Sequence, residues 1–192
     1  MRTFGFIAEF KNKIHVSLIN GKDHLNAFSE WVKYFISQPN ISRMQGRDIY
    51  QVSLDKDFEP SPLRDVTGIW CWWISAWGKS LLLNFMEILN WSDNKHPFVY
   101  TFIVIFNGGT YISQHKDVDF ISSYHLWLKD FTDSPYVNKN QSELLGAYSS
   151  DINEDNLTEE CNIKSIDIDM QGEKFRLYIA KTKEKKKKKA VL

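Results

Sequence analysis

The sequence predicts an α+β fold, and three observations carry that expectation. Hairpin-like pairs of alternating strands open the chain, recur in its middle and close it; amphipathic helical stretches lie between them; and the order of elements is mixed, not a strict strand–helix alternation. Hydrophobic residues make up 43% and aromatics 15% of 192 residues, enough for a core that needs neither disulfides nor a metal. The expected arrangement is a single domain over 1–180, a mixed or antiparallel sheet of hairpins packed by about three helices, with a disordered lysine-rich tail over 181–192. No internal repeat is visible.

Residues 3–10 and 14–19 read as two strands about the polar Lys11-Asn12-Lys13, so the chain starts on a strand of the fold and not on a signal peptide. Asp23 is placed to cap a helix over 24–37. There Leu25, Phe28, Trp31, Val32, Phe35 and Ile36 recur at helical spacing, and Pro39 ends the run. Residues 39–47 read as a loop, and Ile49, Tyr50, Val52 and Leu54 as a short strand. In the tryptophan-rich run 68–78 the spacing predicts a strand to about Ser75, with Trp70, Trp72 and Ile74 on one face and Cys71 and Trp73 on the other. Buried tryptophans are the expected outcome. A largely apolar helix then runs from Lys79 to about Trp91.

The run 98–106 is apolar at nearly every position, which marks a strand covered on both faces, and Asn107-Gly108-Gly109 turns it back on itself. Residues 118–131 follow as a helix with Val118, Ile121, Tyr124 or His125, Leu128 and Phe131 on its stripe. The stretch 132–163 is polar and reads as a long acidic loop region, and a last hairpin pairs 165–170 with 174–180.

The charge is zero overall, with 24 basic and 24 acidic residues, but the signs are separated. Residues 181–192 hold seven lysines against Glu184, which leaves 17 basic and 23 acidic groups in 1–180. Most of that net deficit falls in 143–173, where Glu143, Asp151, Glu154, Asp155, Glu159, Glu160, Asp167, Asp169 and Glu173 face Lys164 alone. Charge placed this way governs partners and association, not the fold.

Candidate chemistry is sparse. Gly78-Lys79-Ser80 has the ending of a phosphate-binding loop, but Trp73 stands where that loop needs its first glycine. His115, Asp117 and Asp119 alternate, and on a strand they would offer hard ligands to one side, which raises a metal-dependent hydrolase as an alternative. Cys71 and Cys161 lie too far apart in sequence, and too isolated, for a redox pair or a zinc site. The sequons at Asn40, Asn90, Asn140 and Asn156 carry no meaning without a secretory signal. No cofactor, resident metal or catalytic residue is expected, and nothing argues positively for an enzyme.

The leading expectation is a non-enzymatic cytoplasmic protein-binding module, without a membrane span, whose acidic surface meets a basic protein partner. Its candidate contacts are Glu143, Asp151, Glu154, Asp155, Glu159, Glu160, Asp167 and Asp169. In general character the chain resembles small immunity proteins that neutralise bacterial nuclease toxins: compact α+β, aromatic-rich, acidic and lacking catalytic residues. No motif carries that resemblance. The other alternative is a nucleic-acid-associated protein that uses the lysine tail.

Overall fold

The computed structural model describes residues 1–92, 98–116, 119–149, 152, 157–160, 162–170 and 172–184. The fold is α+β; the described residues form two five-stranded antiparallel sheets and four α-helices, and they divide into two compact units, Met1–Ile88 and Leu89–Glu184.

The first unit runs β1 (Arg2–Phe10), β2 (Lys13–Gly21), α1 (His24–Ile36), α2 (Arg43–Ser53), a 3-10 turn at Lys56–Phe58, β3 (Ser61–Pro62), β4 (Ile69–Ala76) and β5 (Lys79–Glu87). Its sheet order is β2-β1-β5-β4-β3. Asp23 caps α1 by accepting from Asn26 N at 2.8 Å. Phe4, Phe6, Phe10, Leu81, Leu83 and Phe85 point from the sheet onto Phe28, Trp31 and Phe35 of α1 to make the core.

The second unit repeats this plan. It runs β6 (Phe98–Phe106), β7 (Gly109–His115), α3 (Phe120–Thr132), α4 (Lys139–Ser149), β8 (Thr158–Glu160), β9 (Ile163–Met170) and β10 (Glu173–Lys183), in sheet order β7-β6-β10-β9-β8. The hairpins share a register, since Phe10 pairs with Lys13 and Phe106 with Gly109. At that same spacing of 96 residues Phe6, Ile7, Ser17, Asp23, Trp31, Lys33, Phe35, Pro39 and Gln45 recur as Phe102, Ile103, Ser113, Asp119, Trp127, Lys129, Phe131, Pro135 and Gln141. Asp119 caps α3 through Ser122 N as Asp23 caps α1. Gln141 and Asn138 form the reciprocal cap that Gln45 and Ser42 form at α2. A duplication with few identical residues is invisible as a repeat in sequence and plain in register and topology.

Four expectations are corrected. Residues 79–87 are β5 and not a helix: Trp77 and Gly78 both take left-handed backbone (φ 52° and 67°), a tight turn that sends the chain back along β4. A strand buried on both faces then reads as a continuous apolar run, which its Leu and Met content disguises as a helix. Ile49 and its neighbours are on α2, because the Ser42–Gln45 cap starts a helix there. The stretch 132–163 contains α4 and β8, which brings the helices to four. Finally, the lysine tail does not begin at 181, because Lys181, Thr182 and Lys183 are the last three residues of β10.

The packing at that strand end explains why it is held. Thr182 is buried, and its hydroxyl meets Thr101 Oγ1 at 2.8 Å. Lys181 is 1% exposed, with Nζ donating to Trp91 O at 3.1 Å and lying 3.9 Å from the Phe98 ring centre. Among the described residues no helix is long and apolar enough to cross a membrane.

Candidate functional site

In the second unit a cavity of about 340 Å³ opens between β7 and the C-terminal half of α3. Since β7 is the outer strand of its sheet, the groove runs beside an open strand edge. Trp127 and Phe131 project from α3, Tyr111 and Ser113 from β7, and Tyr136 from the turn after α3. The aromatic rings form one contiguous wall. Tyr111 lies 4.4 Å from Tyr136 and 5.9 Å from Phe131, centre to centre, while Trp127 stacks on Phe102 at 5.2 Å. Gly109 makes room for this, because a Cβ there would come within 2.8 Å of the Tyr111 hydroxyl. Asp130 supplies the charge at the rim.

His115 borders the same group. Its Nε2 lies 3.3 Å from Ser113 Oγ and its Nδ1 3.8 Å from Asp130 Oδ2. Burial lowers the pKa of the ring, and the Asp130 charge opposes that only in part, so the imidazole is held toward its neutral form. Serine, histidine and aspartate stand in the order of a nucleophilic relay, but the aspartate is too far from Nδ1 for a hydrogen bond and its side chain is 70% exposed. A carboxylate so placed does not fix the ring as a relay requires. The arrangement suits binding better than catalysis.

The first unit is an internal control. At the matching positions it keeps the floor, Ser17, Trp31 and Phe35, and replaces the rim: His15 for Tyr111, Tyr34 for Asp130 and Asn40 for Tyr136. There Trp31 Nε1 donates to Ser17 Oγ at 3.1 Å, and Asn40 Nδ2 bridges to His15 Nε2 at 3.3 Å. The floor therefore belongs to the fold, and the rim to the second unit alone.

The carboxylates singled out in the sequence are dispersed. Glu143 is on α4, 4.0 Å from Lys139; Glu159 is on β8, 3.9 Å from Lys164; Asp167 is on β9, 3.4 Å from Arg176. Asp169 caps the final hairpin by accepting from Gly172 N at 2.7 Å. Asp151, Glu154 and Asp155, and the side chain of Glu160, lie outside the described residues. Asp119 faces its own helix, accepting from Ser122 N and Oγ, and Asp117 lies outside the described residues, so His115 and Asp119 serve separate neighbours. Trp70 and Trp72 pack with the core as expected, but Trp73 and Trp77 are 61% and 59% exposed.

The groove residues Tyr111, Asp130 and Tyr136 escaped sequence reasoning. The signal was there only as a comparison between two segments 96 residues apart. No family model, no curated protein and no solved structure matches the chain.

Proposed function

We propose that the protein is a non-enzymatic binding module that takes an extended, basic segment of a partner protein along β7 and into the β7–α3 groove. The observation that supports this best is the coincidence of groove and charge. Leu89–Glu184 carries 15 acidic and nine basic residues, whereas Met1–Ile88 carries nine acidic and ten basic. The whole acidic imbalance thus belongs to the unit whose edge strand β7 borders the groove. An unpaired edge offers main-chain donors and acceptors to an added strand, a flanking groove selects its side chains, and an acidic field steers a basic partner. A toxin-neutralising immunity protein of the cytoplasm is one kind of protein that would work in this way, with the basic surface of a nuclease toxin as its partner.

The test is a random peptide library displayed against the immobilised full chain, followed by amide mapping with a selected peptide. Enriched sequences should carry net positive charge and should shift amides of β7 and α3. Enrichment without basic residues, or a footprint confined to the first unit, would refute the proposal.

A further inference from the structure

We propose that the groove contains an arginine pocket, in which a guanidinium from the docked segment lies against Tyr111 and Tyr136 and pairs with the Asp130 carboxylate. This rests on the strand-docking reading above and names the side chain that gives it specificity.

The composition of the rim decides the ligand class. Tyr111, Tyr136, Phe131 and Trp127 line the cavity with aromatic rings, and the negative quadrupole at the face of such a ring attracts a cation. Asp130 is the acidic group of the lining, and the structure leaves it exposed and beyond hydrogen-bond reach of His115. A neutral ring at His115 does not compete for that carboxylate as a cation would. An apolar side chain would fill the cavity but desolvate Asp130 without a partner. An anion would be repelled by it. Between the two cations, the flat guanidinium stacks on aromatic rings and offers a carboxylate paired donors, whereas an ammonium is a compact, strongly hydrated point charge. The rim is also the part of the site that the duplicate unit lacks, with His15, Tyr34 and Asn40 in its place.

The experiment uses acetylated, amidated pentapeptides Thr-Val-X-Val-Thr with X as arginine, citrulline, lysine or norleucine, titrated against the full chain by calorimetry and amide mapping. Citrulline keeps the shape of arginine and removes its charge. Arginine should bind about tenfold tighter than citrulline, with Asp130→Asn and Tyr136→Leu each removing that preference while the β7 footprint persists. Equal affinity of arginine and citrulline, with the β7 footprint retained, would overturn the pocket and leave strand docking standing. A footprint absent for every peptide would overturn both. Far-UV circular dichroism of the two variants confirms that they fold.

Discussion

Replacing Ser123 with alanine should stabilise the protein. Ser123 is fully buried in α3, and its Oγ is the one buried side-chain oxygen or nitrogen among the described residues that lacks a hydrogen-bond partner. At the same place in α1 the duplicate unit has Ala27, equally buried. Removing an unsatisfied hydroxyl relieves about 1 kcal/mol or more of desolvation penalty, and serine to alanine adds about 0.5 kcal/mol of helix propensity. The expected gain is roughly 1–2 kcal/mol, discounted from the sum because α3 can adjust. With a urea slope of about 1–3 kcal/mol per molar, the unfolding midpoint should rise by about 0.5–1 M at unchanged slope. Hydrogen exchange of the α3 amides assigns the gain to the second unit. The mirror variant Ala27→Ser should lose stability, since a Cβ added to Gly21 would approach Ala27 to 2.7 Å, which shows how little space a hydroxyl would have. A midpoint that falls for Ser123→Ala refutes the reasoning, because it would mean that the hydroxyl makes a favourable bond in solution.

Trp77→Asn should be neutral or stabilising by up to about 1 kcal/mol in the same urea assay, since asparagine tolerates the left-handed backbone that an exposed indole occupies there. A clear loss would mean that the indole packs. Lys181→Met should lose about 1–3 kcal/mol by leaving the Trp91 carbonyl without its donor, whereas Lys183→Met at the exposed end of the same strand should stay within about 0.5 kcal/mol; equal effects would contradict the burial of Lys181. Acidification should destabilise the fold through His15 and His115. Burial lowers both pKa values in the folded state, with Lys13 adding to the effect at His15, so the unfolded chain binds protons first as pH falls below its ordinary histidine value of 6.5. The loss should appear between neutral pH and the depressed folded values, and the His15→Asn, His115→Asn double variant should show a flatter midpoint-against-pH curve than the parent. Identical curves would remove the burial account.

Periodicity revealed the elements whose two faces differ. The helices α1 and α3 are legible because one stripe is apolar and the other polar, and the hairpins about Asn12, Gly108 and Gly172 because turn residues punctuate alternating strands. Two of the elements that differ from expectation, β5 and α4, lack such contrast. β5 is buried on both faces, and α4 carries mostly polar residues, so in each the period is hidden. The caps at Ser42–Gln45 and Asn138–Gln141 did mark the starts of α2 and α4, short signals easily passed over beside a misleading apolar run. The groove had no local signal at all, since its rim combines β7, α3 and the following turn.

The two units also show how a difference between duplicates bears on function. In the first, the ring of Trp70 stacks on His24 at 4.5 Å and meets Phe4. In the second, the matching position on β9 is Lys164, and an indole comes instead from Trp91, ahead of β6, to meet Tyr100 and Phe120, the counterparts of Phe4 and His24. Lys164 Nζ then lies 4.8 Å from the Trp91 ring centre. The fold needs an aromatic plate against the first turn of this helix, and two chain routes provide it, so that difference is compensated and structural. At the groove the exchange is of another kind. His15 and Asn40 hydrogen-bond to each other across the rim of the first unit, whereas Tyr111, Tyr136 and Asp130 leave an aromatic cavity with an exposed carboxylate in the second. Packing does not require that carboxylate or that cavity. That uncompensated difference, placed beside an open strand edge in the acidic unit, is the ground on which we propose that a partner segment docks there.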